Sequence, residues 1–192
     1  MTTFYICRHG QTENNKNNRF SGWIDTPLTD EGNHNAVSIA KKLAGVQFDH
    51  IISSDLGRTF ITAYIVACRL GFTGNIQRAK ELREINYGDF ANKPYSLYPN
   101  LSPTENSTFV CPGGESLAIM QKRVSAYIHK LGADNLNKTI LLVAHDGTIN
   151  AALADCTGQD IGIVDITHNA HDFVGKFAYQ HGRLSGFTEV KV

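Results

Sequence analysis

The chain lacks an excess of charge of either sign. Its 192 residues include 18 Lys and Arg and 18 Asp and Glu, so the formal net charge is zero. A protein without a basic field has no general electrostatic attraction for nucleic acid or for an anionic lipid surface. We therefore expect neither as a partner, and any anion-binding site has to come from a local cluster of cations.

Long apolar runs and a leader-like segment are also missing. No run approaches the ~20 apolar residues of a membrane-spanning helix, and Met1–Phe4 has no basic region of the kind that opens a signal peptide. The widely spaced cysteines, Cys7, Cys68, Cys111 and Cys156, form no C-x-x-C pair. Cys7 and Cys68 lie in apolar stretches, which predicts buried, reduced side chains and not disulfides. The sequence thus predicts a cytoplasmic protein without membrane association.

What is present is an alternation of apolar strands and amphipathic helices. Strands are predicted at about 3–7, 50–53, 76–78, 139–144, 163–167, 173–179 and 184–190, and helices at about 29–43, 57–70, 117–131 (capped by Gly132) and 148–155. The continuously apolar run 139–144 is typical of a central parallel strand covered on both faces. This alternation predicts a single three-layer α/β/α domain over residues 1–192, with a mainly parallel central sheet.

Residues 86–114 interrupt that alternation. The segment contains four prolines, several asparagines and serines, and a series of aromatic side chains. Loops of this length are uncommon in compact domains and tend to be lids or disordered segments. The aromatic residues predict that this one packs as a lid.

Two histidines follow strands in the same local context. His9 comes after the first strand and His145 after the strand 139–144, and each has a glycine within the next two residues. In open α/β sheets, ligands bind outside the carboxyl ends of the strands. The two strands can therefore bring both imidazoles to one small group. Either histidine alone could be an ordinary surface residue, but the repeated context argues against that interpretation for both.

Two arginines lie at positions where a cation could bind an anionic group. Arg8 directly precedes His9, and Arg58 lies in the first turn of the apolar helix 57–70. A helix N-terminus attracts phosphate, so a cation placed there makes most sense if it serves an anion. An imidazole beside such cations can attack a phosphoryl group whose oxygens an arginine holds. An ion pair between Arg58 and Asp55 is the alternative.

Glu84 is a candidate proton donor, because it is a carboxylate between two apolar residues, just before the aromatic segment. A buried carboxylic acid beside a phosphate dianion binds its proton more tightly, since desolvation and like charge both disfavour the carboxylate. It could then protonate a leaving alkoxide. A surface ion pair with Arg83 is equally compatible with the sequence.

Five segments, in order along most of the chain, resemble the motifs of the histidine phosphatase superfamily, whose branches include the cofactor-dependent phosphoglycerate mutases. They are Arg8–Thr12 with Asn15; Asn18–Trp23 with Asp25–Thr29; Ser53–Leu56 leading to Arg58 and Thr62–Ala63; Pro112–Ser116; and Val143–His145. One such match would be weak, but five in the right order are specific. The resemblance implies a phosphoglycerate mutase-like fold and enzymatic phosphoryl transfer.

The resemblance also implies a role for each matching residue. His9 would be the nucleophile that becomes phosphorylated, and Glu84 would be the acid. The phosphate-binding positions would be Arg8, Asn15, Arg58 and His145, and the substrate mouth would be lined by Ser21 and Gly22. Arginines then neutralise the charge that a metal ion neutralises in other phosphoryl transfers, so neither a metal nor a cofactor is expected.

Two positions depart from the family pattern. Asp146 stands where a small residue is usual, and we interpret it as the cap of a helix beginning near Thr148, a position that favours Asp. If its carboxylate faces the pocket instead, it would repel phosphate or orient a catalytic group. Residues 89–92 replace a common Glu-Gly pair, which changes the local substrate contacts.

A metal site is the competing account of the histidines. The segment His168–Asp172 has the form H-x-x-H-D, but it lies in a predicted strand–turn segment, whereas H-E-x-x-H sites lie on a helix. We interpret these residues as surface residues and expect no metal.

The interval from Gly88 to Gly113 contains one cation, Lys93. Mutases of this family carry a long insertion here whose basic residues grip the sugar-acid carboxylate, and recognition of a carboxylate usually needs arginine. The shortage favours a metal-independent phosphatase that acts on a small phosphorylated metabolite through phosphohistidine. A cofactor-dependent mutase and a non-catalytic phosphate-binding protein are the alternatives. The sequence leaves the natural substrate and the oligomeric state open.

Overall fold

A six-stranded sheet forms the centre of the molecule. In the computed structural model, which describes residues 1–164 and 169–191, the strands lie in the order β3-β2-β4-β1-β5-β6. They are β1 Thr2–Arg8, β2 His50–Ser54, β3 Ile76–Ala79, β4 Thr139–Ala144, β5 Val174–Gln180 and β6 Arg183–Glu189. The first four strands in this order are parallel to one another, whereas β5 pairs antiparallel with both β1 and β6.

Helices cover both faces of the sheet. Their bounds are α1 Glu13–Lys16, α2 Asp30–Lys42, α3 Gly57–Leu70, α4 Pro103–Thr108, α5 Leu117–Asp134, α6 Asp146–Thr157 and α7 Ile161–Val164. Along β4, Leu141 and Val143 belong to the core shared with α2 and α3. Ile140 and Leu142 belong to the larger core shared with α5 and α6. A strand buried on both faces gives three layers, so the predicted architecture is confirmed.

Several local predictions were wrong. Helix α5 continues through Gly132, which is buried against the ring of Tyr179 and does not end the helix. Residues 163 and 164 lie in α7 and not in a strand, and the rest of that predicted strand, 165–167, lies outside the described residues. Cys7 is buried as expected, but Cys68 is exposed, because α3 turns Val66 and Ala67 toward the core instead.

The segment 86–114 is more ordered locally than a plain loop. It contains α4 and two 3₁₀ turns, at Gly88–Phe90 and Tyr95–Leu97. Ser102 and Glu105 form a capping box at the start of α4. Among the described residues, no helix is both long and apolar enough to cross a membrane.

The sheet brings the ends of three strands to one edge. Arg8 pairs with Ala144, so the residues that follow β1 and β4 are neighbours, and the His9 amide donates to the Ala144 carbonyl at 3.0 Å. The start of antiparallel β5 lies at the same edge, because Val174 pairs with Cys7. Polar side chains from these segments can therefore converge.

Candidate active site

His9 is held in one tautomer by the backbone. Its ring is buried, and Nδ1 lies 2.7 Å from the Gly10 carbonyl oxygen. A carbonyl oxygen only accepts, so Nδ1 carries the proton and Nε2 carries the lone pair. The Nε–H group of Arg58 donates to Nε2 at 3.3 Å. Nε2 is therefore the nucleophilic atom of the ring, and it faces a guanidinium.

Arg58 is a buried hub at the start of α3, with 1% of its surface exposed. Its Nη1 group donates to the Ile24 carbonyl, and its Nη2 group donates to the Gly22 carbonyl and to His145 Nδ1, at 2.9, 2.8 and 3.3 Å. The counter-ion is Asp25, at 3.6 Å from Nη1. The suggested pair with Asp55 does not form.

His145 completes this buried group. Its ring centroid lies 5.2 Å from that of His9. Arginine has no acceptor, so His145 Nδ1 accepts from Arg58 and the proton sits on Nε2. Within the described part of the chain, that buried Nε2 has no hydrogen-bond partner. Buried donors in proteins normally have an acceptor. The Nε2–H group of His145, which lies near the N–H groups of Arg58, is therefore suited to bind an oxygen of a phosphoryl group.

Both imidazoles are neutral at neutral pH. Burial lowers the pKa of His9 well below its usual value, and the charge of Arg58 lowers it further. Burial and Arg58 act on the pKa of His145 in the same direction. A neutral imidazole keeps its lone pair, which is the state that nucleophilic attack requires.

Asp146 faces the cavity, so its interpretation as a cap was wrong. The N-cap of α6 is His145, and Asp146 is the first helical residue. Its Oδ1 accepts from the backbone and side-chain amides of Asn169, at 2.9 and 2.8 Å. Its Oδ2 lies 3.7 Å from Arg8 Nη1, which also donates to the Asn169 carbonyl. The carboxylate thus orients Arg8, whose buried Nε has no partner among the described residues.

His171 was interpreted as a surface residue, but it lines the cavity. Its Nδ1 donates to the His9 carbonyl at 3.2 Å, and the two rings lie 5.9 Å apart. Burial, with help from the charge of Arg8, lowers the pKa of His171 to about 4. Its neighbour Asp172 is bound to Lys42 at 2.9 Å. His168, the other histidine of the H-x-x-H-D cluster, lies outside the described residues.

Glu84 lines the cavity next to the start of α6. Its carboxylate accepts from the amides of Ile85 and Gly147, at 2.9 and 3.3 Å. A Cβ at position 147 would lie 2.3 Å from Glu84 Oε1, so this approach requires glycine. Arg83 pairs with Asp55 at 2.6 Å, so the alternative partner suggested for Glu84 is engaged elsewhere.

The backbone around Glu84 is held by Arg123 of α5. This guanidinium donates to the carbonyls of Glu81 and Arg83 at 2.8 and 3.0 Å, and to that of Glu84 at 3.4 Å. Glu115 pairs with Arg123 at 2.6 Å and accepts from the Asn86 amide. The recognised sequence motifs include the one around Glu115 but not Arg123. The sequence of a helix does not show which distant loop one of its arginines binds.

Three further predicted residues reach the cavity, whereas His145 is fully buried and is not among the residues that line it. Asn15, Ser21 and Gly22 all line it. Asn15 Oδ1 accepts from the Thr12 amide and hydroxyl, which secures the turn at the start of α1. Gly22 has φ +52° and offers its carbonyl to Arg58. Within the described residues, the buried Ser21 hydroxyl has no partner.

The cavity has a volume of about 520 Å³. Its inner part contains the charged and imidazole groups. Its outer part is formed by aromatic and amide side chains, namely Phe20, Tyr87, Tyr95, Tyr98 and Asn106. Most of these belong to the segment 86–114, which therefore covers the mouth.

The family of the chain follows from comparison with known proteins. A family model described as the histidine phosphatase superfamily (branch 1) matches residues 4–185. The chain belongs to the histidine phosphatase superfamily. The predicted family is confirmed, and members of this superfamily are enzymes, either phosphatases or mutases.

The chain also matches individual proteins over most of its length. A 2,3-bisphosphoglycerate-dependent phosphoglycerate mutase of Cytophaga hutchinsonii is 32% identical over 182 residues, 88% of this chain and 85% of the relative. A probable phosphoglycerate mutase of Yersinia pestis is 34% identical over 167 residues, 82% and 76% of the two chains. A solved mycobacterial glucosyl-3-phosphoglycerate phosphatase has a TM-score of 0.84 at 26% identity, covering 97% of this chain and 96% of that one.

Proposed function

We propose that the protein is a metal-independent phosphomonoester hydrolase that acts through a phosphohistidine intermediate on a small phosphorylated metabolite. The observation that carries this proposal is the His9 tautomer: Nδ1–H is bound to the Gly10 carbonyl, so the Nε2 lone pair is available beside Arg58. A preformed nucleophile with cations around the reacting atom is what phosphoryl transfer needs.

In the first step, His9 Nε2 attacks phosphorus and the bond to the substrate oxygen breaks. Arg8, Arg58 and the Nε2–H group of His145 hold the phosphoryl oxygens, and Asn15 and Ser21 add polar contacts. Glu84 gives its proton to the leaving oxygen, so an alcohol departs. The incoming dianion favours this proton on Glu84, because it adds negative charge near the carboxylate.

In the second step, water attacks the phosphorus of phospho-His9. Glu84, now ionised, takes a proton from that water, and the P–N bond breaks to release phosphate and return the imidazole. Segment 86–114 acts as the lid that covers the mouth. We place the reaction in the cytoplasm, which agrees with four free cysteines.

A phosphoglycerate mutase is the second candidate, and the two mutase relatives favour it. The lining of the cavity favours the hydrolase. In the described part of the chain, the Lys and Arg side chains that line it are Arg8 and Arg58, both at the inner end. A mutase has to hold the carboxylate of its substrate as well, which usually calls for a further arginine.

The test compares the two reactions in the presence of a chelator. The protein is incubated with p-nitrophenyl phosphate, and separately with 3-phosphoglycerate plus bisphosphoglycerate. We expect release of phosphate, an acid-labile phosphoryl group on the protein after a rapid quench, and loss of both in His9→Ala. The control His34→Ala changes an exposed histidine of α2 and should behave as wild type. Isomerisation without phosphate release would favour the mutase, and activity retained by His9→Ala would exclude the covalent route.

A further inference from the structure

The outer part of the cavity bears on the substrate that the proposed hydrolase takes. A volume of about 520 Å³ is far more than a phosphate group fills and lies within the range of pockets for whole small molecules. The leaving group of the substrate therefore occupies the outer part. Its chemistry can be read from the side chains found there, and the inference rests on the proposed function.

The first observation is the charge of the lining. Arg8 and Arg58 are the lining guanidiniums in the described residues, and Glu84 and Asp146 are the lining carboxylates. These charges cancel before the phosphate arrives. Among the described lining residues, a leaving group with its own carboxylate or phosphate would meet no further Lys or Arg and would be desolvated without compensation. The leaving group is therefore not an anion.

The second observation is an aromatic platform formed by Phe20, Tyr87, Tyr95 and Tyr98. The Phe20 ring lies 4.4, 4.7 and 5.5 Å from the rings of Tyr87, Tyr95 and Tyr98, centroid to centroid. Rings that pack on one another in this way present faces and edges to the cavity and do not surround an open space. A cage for a quaternary ammonium needs rings around such a space. The platform fits a flat ring better than a cation.

The third observation is that the platform is held by its backbone. The Phe20 amide donates to the Lys93 carbonyl at 3.0 Å, and the Asn92 amide donates to the Phe20 carbonyl at 2.7 Å. The Tyr95 amide donates to the Asn18 carbonyl at 2.9 Å. Two segments far apart in the sequence are thus joined, and the backbone that carries the rings is fixed. Preorganisation of this kind reduces the entropy lost on binding.

A polar group lies beside the platform. The Tyr98 hydroxyl donates to Asn106 Oδ1 at 3.2 Å, which orients the amide of Asn106. The Nδ2 group of the same amide is then the donor that a ring carbonyl or hydroxyl of the ligand can meet.

We propose that the natural substrate is the phosphomonoester of an uncharged alcohol that carries a planar ring, which stacks on Phe20, Tyr87, Tyr95 and Tyr98. Stacking of a base on an aromatic side chain strengthens binding by roughly 5- to 150-fold, so a ring-bearing ester should exceed a ringless one by a factor in this range in kcat/KM.

The test measures kcat/KM for five alkyl phosphomonoesters. Benzyl phosphate and uridine monophosphate carry neutral rings, glycerol phosphate has no ring, 3-phosphoglycerate adds an anion and phosphocholine adds a cation. We expect the two ring-bearing esters to lead. Equal values for benzyl and glycerol phosphate, or a preference for 3-phosphoglycerate or phosphocholine, would overturn the inference.

Variants locate the preference. Tyr95 is 39% exposed, so its removal spares the core. We expect Tyr95→Ala to lower the ratio of kcat/KM for uridine monophosphate over glycerol phosphate by about tenfold, and Tyr95→Phe to keep most of it. Tyr64→Ala, on the exposed face of α3, is the matched control and should leave the ratio unchanged. An unchanged ratio in Tyr95→Ala would contradict the platform.

A binding measurement separates failure of this inference from failure of the proposed function. If phosphohistidine forms and every ester is cleaved at the same rate, the hydrolase stands and the substrate class falls. If neither phosphohistidine nor phosphate appears, the hydrolase falls. Calorimetric titration of His9→Ala with benzyl phosphate and with glycerol phosphate then decides the substrate class alone, through tighter or equal binding of the ring-bearing ester.

Discussion

At the scale of single residues, the proposed role of Glu84 is to transfer a proton and not to bind phosphate. Glutamine at this position keeps the shape of the side chain and one of the two oxygens that accept from the amides of Ile85 and Gly147, but it has no acidic proton. An alkoxide needs that proton to leave, whereas p-nitrophenolate leaves as a stabilised anion. We expect Glu84→Gln to lower kcat/KM for glycerol phosphate by roughly 100- to 10,000-fold and to affect kcat/KM for p-nitrophenyl phosphate much less, measured from initial rates of phosphate release at one pH. This ratio covers the steps through departure of the alcohol and excludes the hydrolysis of phospho-His9, in which Glu84 is the base for both substrates.

Glu31 provides the matched control, because it is an exposed carboxylate of α2 outside the cavity. Glu31→Gln should leave kcat/KM for both substrates unchanged. Equal losses of kcat/KM for the two substrates in Glu84→Gln would show that Glu84 supports binding or folding and does not donate the proton.

Residues at parallel strand ends were predictable, because their position follows from the sheet. His9 and His145 each come directly after an apolar strand, and Arg8 is tied to the same turn. Asp146 was not predictable in the same way. An aspartate at a helix start can cap its own helix or reach outward, and the contact with Asn169 that decides between these comes from a distant part of the chain.

At the scale of elements, the direction of β5 explains why His171 was missed. The rule that ligands bind at carboxyl ends of strands concerns parallel sheets. Because β5 runs antiparallel to β1, its first residues lie at that same edge, with Val174 opposite Cys7. The residues just before β5 therefore belong to the site. Apolar periodicity predicts a strand, but it does not give the direction of that strand.

Helix α3 offers a test of how an element positions Arg58. Its N-cap, Leu56, has no capping side chain, and Asp25 takes that place by accepting from the amides of Gly57 and Arg58. We expect Asp25→Ala to reduce the free energy of unfolding by about 1 kcal/mol. It should also lower kcat/KM for p-nitrophenyl phosphate by roughly 10- to 100-fold, because small displacements of a catalytic cation are costly.

Ser116→Ala separates these two effects. Ser116 caps α5 through a bond to the Ile119 amide and does not touch Arg58. It should lower stability in urea unfolding by a similar amount while kcat/KM stays near wild type. If Asp25→Ala also retained full kcat/KM, Asp25 would be a helix cap and nothing more.

At the scale of the whole molecule, the order of layers was predictable because apolar periodicity carries it. Within the strand 139–144, every residue after Thr139 is apolar and buried. The short helices α4 and α7 were missed, because four to six residues give too few turns for a helical period to show. Five chain segments converge on the cavity, four that follow parallel strands and one that precedes β5. This convergence depends on long-range packing, which local patterns do not encode.

The stability of the whole fold depends on pH, because the fold buries neutral imidazoles. The pKa of His9 and of His145 is lowered well below 6.5, and that of His171 is lowered to about 4. In the unfolded chain these groups take up protons near pH 6.5. Between that pH and their folded pKa, the unfolded state binds more protons, so the free energy of unfolding falls as the pH falls. For each histidine that is neutral in the folded state and protonated in the unfolded state, the free energy of unfolding falls by about 1.4 kcal/mol per pH unit.

His171 allows this to be measured without removing the proposed nucleophile. Its ring faces Arg8, Asp146, Asp172 and the His9 backbone, and the cations and burial outweigh the carboxylates. We expect His171→Gln to reduce proton uptake on unfolding between pH 6.5 and pH 5 by up to about one proton, measured by urea unfolding in phosphate-free buffer. His34→Gln, at an exposed side chain, should keep the wild-type slope. Equal slopes for wild type and His171→Gln would mean that His171 titrates normally in the folded protein, because only a group whose pKa changes on folding contributes to the slope.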